Sequence, residues 1–255
     1  MPRFRNAVVT GASSGIGAAL ALELARRGTE VVLCARRRER LEALAEAIER
    51  AGGRARVEPL DVTDPDAIAR LLARLDAELE GLDLVVANAG VGGARHASRL
   101  TVDDVRPTLE VNVLGAIVTL TAALELMRGR GRGTLCGVSS LAGLGGMPSS
   151  GAYAASKAAL STFLETLAID LAGTALRVVD VQPGFVESEM TAGRSGPLPC
   201  LWPADRAARR IADDLARGRA VSSFPWQLSW PLRALTRGPR VLWRWALGRL
   251  RPRRE

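Results

Sequence analysis

The chain has 255 residues, 47% of them hydrophobic, enough for one large α/β core. Cys34, Cys136 and Cys200 lie far apart and His96 is the only histidine, which argues against a disulfide framework, a zinc cluster and a Ser-His-Asp triad. The net charge is +8, but residues 226–255 hold eight arginines against one acid, so the first 225 residues are close to neutral and no nucleic-acid binding is expected of them.

Residues 5–10 read as a short strand. Gly11-x-x-x-Gly15-x-Gly17 follows, then an Ala/Leu-rich helix to about Arg27, ended by Gly28. Residues 30–35 are a second strand and 38–51 a helix stopped by Gly52 and Gly53. Residues 55–60 form a third strand. Asp64 caps the next helix, with Pro65 in its first turn. Residues 82–87 are almost wholly apolar, as a strand buried on both faces should be. A loop to about Leu100 leads to helices near 102–128, a fifth strand over 133–139, a long helix over 151–172 and a sixth strand over 176–181. A helix over 203–217 and a last strand over 220–224 complete the body. The alternation predicts a doubly wound, mostly parallel sheet of about seven strands in one domain, residues 1–225, with helices on both faces. The run Ala7–Val9 is too short for a signal peptide and no stretch reaches ~20 apolar residues. A cytoplasmic protein is expected.

Three stretches carry chemistry. Glycines between a strand and a helix let the backbone turn sharply and approach a pyrophosphate, and the helix N-terminus adds N–H donors. Folds that prefer NAD usually place an acid at the end of the second strand. Here Ala35 is followed by Arg36, Arg37 and Arg38, which favours NADP(H) over NAD(H). Arg36 is assigned the phosphate contact; Arg37 is either a second contact or, like Arg38, part of a solvated helical turn. Tyr153 and Lys157 are the only tyrosine and the only lysine in the chain. Four residues apart, they share one helix face, where an ammonium lowers a phenol's pKa and makes a general acid/base.

Further motifs follow in order: Asp61-Val62, Asn88-Ala89-Gly90, Asn112, Ser140 thirteen residues before Tyr153, Pro183-Gly184 with Val186, and Ser188. In this order and spacing they resemble the short-chain dehydrogenase/reductase family over roughly residues 5–225, a Rossmann-type fold. The resemblance implies cofactor contacts from Gly11, Ser13, Ser14, Gly15, Ile16 and Gly17, and an adenine contact from Asp61 and Val62. It implies further contacts from Asn88, Ala89, Gly90, Tyr153, Lys157, Pro183, Gly184, Val186 and Ser188. Ala87 stands where the family often has Asn, and Ser188 where it usually has Thr. The implied catalytic set is Asn112, Ser140, Tyr153 and Lys157: Tyr153 moves the proton, Ser140 bonds the substrate oxygen, Lys157 tunes Tyr153 and bonds the nicotinamide ribose, and Asn112 holds a water toward Lys157. Ser139 is the lesser candidate beside Ser140. A homodimer or homotetramer is also implied.

Leu141, Leu144, Met147, Phe185, Met190, Leu198, Leu201 and Trp202 are candidate walls for an apolar ketone, aldehyde or alcohol, under a lid over 187–202 that carries Arg194 as its one basic group. Residues 226–255 form a basic, Trp-rich helical extension, with Pro231 and Gly238-Pro239 as breaks. It either meets an anionic membrane surface or packs on the body or a neighbouring subunit. An NADP(H)-binding regulator without turnover is the alternative to an enzyme, and an interaction protein working through its tail a third reading. Retention of Ser140, Tyr153 and Lys157 favours the enzyme.

Overall fold

The computed structural model describes residues 4–192 and 197–237. Seven parallel strands form one sheet: β1 (Asn6–Thr10), β2 (Glu30–Ala35), β3 (Arg54–Pro59), β4 (Leu84–Ala87), β5 (Gly133–Val138), β6 (Leu176–Pro183) and β7 (Val221–Phe224). Their order is β3-β2-β1-β4-β5-β6-β7. Strand order reverses between β1 and β4, and the crevice at their carboxyl ends is where doubly wound sheets bind ligands.

Helices cover both faces, as the alternation predicts. Helices α1 (Gly15–Arg26) and α2 (Arg38–Arg50) lie on one face with a later helix, Ala204–Ala216; Leu20, Leu24, Leu41, Ile48, Ile211 and Leu215 fill that core. Helix α3 (Pro65–Glu78), α4 (Val102–Leu109) with α5 (Ala116–Arg130), and α6 (Gly151–Asp170) cover the other, burying Ile68, Leu72, Leu120, Met127, Leu160 and Leu164. Asp64 caps α3 by accepting from the Ala67 amide at 2.9 Å. The stretch Val102–Arg130 is long and apolar enough to cross a membrane, but Leu120, Ala123 and Met127 are fully buried against the sheet.

The structure departs from the sequence reading in several places, three of which bear on the site and the extension. A π-helical turn, Glu110–Gly115, joins α4 to α5. The lid contains a short helix, α7 (Glu189–Ala192), before α8 (Ala204–Ala216). Helix α9 (Trp226–Arg237) runs through Pro231 instead of breaking there. Packing sustains it: Ser229 is buried and Leu228 lies against Gly184. The part of the extension beyond Arg237 lies outside the described residues.

Candidate active site

The site is built at the carboxyl edge of β1, β4, β5 and β6. After β1, Gly11 and Gly15 turn with φ of +67° and +56°, which glycine adopts without strain. A Cβ at Gly11 would stand 2.7 Å from Ala89 Cα, and one at Gly17 would strike the Asn88 amide and Gly11 O. Two of the glycines therefore serve close packing against Asn88 and Ala89 in the loop that follows β4. Asn88 Nδ2 donates to Thr10 O at 2.9 Å and to Gly11 O at 3.2 Å, while Thr10 Oγ1 accepts from the amides of Asn88 and Ala89. Asn88-Ala89 thus braces the glycine loop. Ile16 packs into the core behind it. Ser14 is the N-cap of α1, which has no side-chain cap bond and no acid in its first turn.

At the end of β2 the two arginines part. Arg37 lies over the loop, donating to Ser13 Oγ at 2.9 Å and Ser14 Oγ at 3.0 Å. Arg36 points away toward Asp61, 3.9 Å distant, and is 69% exposed. Asp61 is engaged locally: the Thr63 amide first, then the Thr63 hydroxyl and Arg36, hold its carboxyl below the usual range against partial burial. Val62 is buried against Gly115. Arg37 also donates to Glu189 on α7 at 2.8 Å, with Arg40 3.8 Å from the same carboxylate. Arg37, then Arg40, depresses the Glu189 pKa. This tie between lid and loop has no signature in sequence spacing.

The loop after β4 touches three of the four expected catalytic side chains. A Cβ at Gly90 would lie 3.3 Å from Asn112 Oδ1 and 3.4 Å from Lys157 Nζ. One at Gly92 would lie 3.1 Å from Tyr153 Cδ2 and 3.1 Å from Met190 Sδ. Asn112, fully buried in the π turn, exchanges hydrogen bonds with the main chain of Val91, both 2.8 Å, and donates to Ser156 Oγ at 3.0 Å. Ser156 Oγ in turn donates to Tyr153 O. Both protons of the amide are thus committed, while Oδ1 keeps one lone pair beyond the Val91 bond.

Lys157 is 4% exposed; its Nζ donates to Val138 O at 2.8 Å and sits 5.7 Å from the Tyr153 ring centroid. Burial pushes its pKa down to about 8, with Asp180 pulling the other way. Ser140 caps a 3₁₀ turn, Leu141–Leu144; its Oγ accepts from the Ala142 amide at 3.1 Å and donates to Pro183 O at 3.3 Å. Ser139 points elsewhere, donating to Asp180. Gly184 donates to Phe224 O at 2.7 Å, and a Cβ there would meet Pro225 at 2.9 Å. Val186 is buried and bridges to Trp202, and Ser188 faces Gly15. Of the expected walls, Leu141 is buried and Trp202 stacks on Phe224 at 5.1 Å, whereas Met190 and Leu201 stay exposed. Arg194 lies outside the described residues. His96 is an exposed turn residue bonded to Ser98.

A nicotinamide dinucleotide fits these residues. The glycine loop offers an uncapped helix N-terminus, and β2 ends in arginines with no carboxylate. Known proteins share this fold and sequence pattern. The sequence profile of the short chain dehydrogenases matches residues 5–197. A Myxococcus xanthus protein named as an uncharacterized oxidoreductase is 49% identical, over 97% of this chain and 98% of its own length. A short chain dehydrogenase/reductase from Burkholderia phymatum, solved with NAD, superposes with a TM-score of 0.84 at 24% identity, covering 93% of this chain and 95% of its own. An alcohol dehydrogenase from the archaeon Thermococcus sibiricus, complexed with 5-hydroxy-NADP, superposes with a TM-score of 0.77 at 28% identity, covering 86% and 94%.

Proposed function

The chain belongs to the short-chain dehydrogenase family, and from that premise we propose that it is an NADP-dependent oxidoreductase interconverting a carbonyl and a secondary or primary alcohol on an apolar substrate. The observation that carries the reading is Lys157, buried and 5.7 Å from the ring of Tyr153 on one face of α6. The bound nicotinamide supplies or accepts hydride. Tyr153 gives a proton to the substrate oxygen in reduction and takes it in oxidation. Ser140, whose present bond to Pro183 O is long at 3.3 Å, turns its hydroxyl to that oxygen as charge develops there. Lys157 favours the phenolate of Tyr153, and Asn112 fixes Val91 and, through Ser156, the first turn of α6.

The preference for NADP rests on guanidinium groups at the end of β2. Arg37, seated on Ser13 and Ser14, is the better placed for a ribose phosphate, with Arg36 beside Asp61 as the outer contact. For the extension we include an anionic membrane surface as partner, because Trp226 and Trp230 are 68% and 75% exposed at the start of an arginine-rich segment.

The test is NADPH consumption against a panel of ketones and aldehydes, with NADH in parallel. Tyr153→Phe should cut kcat by about 10²-fold or more while dinucleotide binding survives. Turnover intact in Tyr153→Phe would overturn the mechanism. Binding of NADPH with no turnover of any carbonyl or alcohol would favour a regulator.

A further inference from the structure

One charged group under α6 has no part in the chemistry above. Asp180 on β6 is 7% exposed. Ser139 Oγ donates to its Oδ1 at 2.5 Å and Gln182 Nε2 to its Oδ2 at 2.6 Å. Arg233 of α9 donates to Gln182 Oε1 at 2.5 Å. Both bonds reach the carboxylate from donors, which suits an ionised group that can only accept. An anion this deep needs a cation close by. Arg233 is one glutamine removed.

The other cation is Lys157. It projects from α6, which packs on β5 and β6. Its Nζ is tied to Val138 O, and the next residue, Ser139, is tied to Asp180. Ammonium and carboxylate are thus anchored to adjacent residues at the end of β5, Val138 and Ser139. Asp180 stands in register with Gly137, which puts no side chain over this face. The field of Asp180 works against the burial that lowers Lys157. The remaining groups around Asp180 are few. Cys136 of β5 is fully buried, its thiol pushed up by burial and by Asp180. Tyr153 lies on α6, and Val221 of β7, the register partner, is uncharged. Asp214 of α8 accepts from Arg210 and Ser222 through Oδ2, and its Oδ1 lies 3.4 Å from Arg219.

We propose that Asp180 is the buried counter-ion of Lys157: a positioning residue, held by Ser139 and Gln182, that keeps the ammonium charged beside Tyr153. The role of Lys157 in turnover belongs to the function proposed above, but its charge is measured without turnover, so the two readings fail separately.

Because the chain has one lysine, full-length protein grown on lysine enriched with carbon-13 at Cε gives a single lysine NMR signal that titrates with the amine. The wild-type midpoint is expected near 8. Asp180→Asn keeps the shape and removes the charge, and the midpoint should fall by about one unit or more. Where Asp180→Asn does not fold, Asp180→Thr, a neutral β-branched residue suited to a strand, is titrated in its place. A folded neutral variant with the wild-type midpoint overturns the proposal.

Discussion

Lys157 carries a pH signature that falls in an accessible range. Burial holds it at about 8, against 10.5 for an exposed lysine. Between those values the unfolded chain binds the proton and the folded chain does not. Stability must therefore rise as pH climbs through the window, and the full cost of the buried ammonium is felt below it. Lys157→Met removes the effect. Urea titrations at pH 8 and pH 10 should show wild type gaining about 2 kcal/mol relative to the variant, the part of the shift that falls between those two pH values. Parallel pH dependences in the two proteins would refute the burial argument. Tyr153 and Lys157 could be singled out because composition leaves one of each. Arg36 and Arg37 could not be told apart so simply. They are neighbours at the exit of a strand, where the chain sends one toward Asp61 and the other onto the glycine loop.

At the scale of elements, strands were the most legible features. Parallel strands covered on both faces read as apolar runs, and β4 is buried throughout. The π turn was not legible, because one extra residue in a helical bond pattern barely disturbs an apolar periodicity. Nor was the link from Ser139 to Asp180, which joins residues 41 apart; the only signal was an acid among the valines of β6. The 3₁₀ turn that carries Ser140 shows how closely elements meet here. A Cβ at Gly143 would lie 2.8 Å from the main chain of Lys157 and Ala158. Gly143→Ala should force the turn off α6, costing about 1–3 kcal/mol. A lowered melting temperature, with kcat reduced and dinucleotide affinity retained, is the expected result. An unshifted melt would mean that the turn has slack.

On the scale of the whole molecule, the reversal of strand order places every expected contact on one edge of the sheet, although they span Gly11 to Ser188 in the chain. Helix α9 joins that body through Ser229 and Arg233 and leaves Trp226 and Trp230 outside. Full-length protein should co-sediment with anionic vesicles, and the double substitution Trp226→Ala with Trp230→Ala should weaken this several-fold. Equal sedimentation with neutral and anionic vesicles would remove the membrane from the list of partners. The ion pair between Arg37 and Glu189 bears on the timing of the catalytic cycle. If Arg37 takes the ribose phosphate as proposed, that phosphate and the Glu189 carboxylate compete for one guanidinium, so nucleotide loading would release α7. On the proposed function, that exchange would make the nucleotide the first ligand to bind. Glu189→Gln should tighten NADPH binding more than NADH binding in a fluorescence titration, and should blur an otherwise compulsory order of addition.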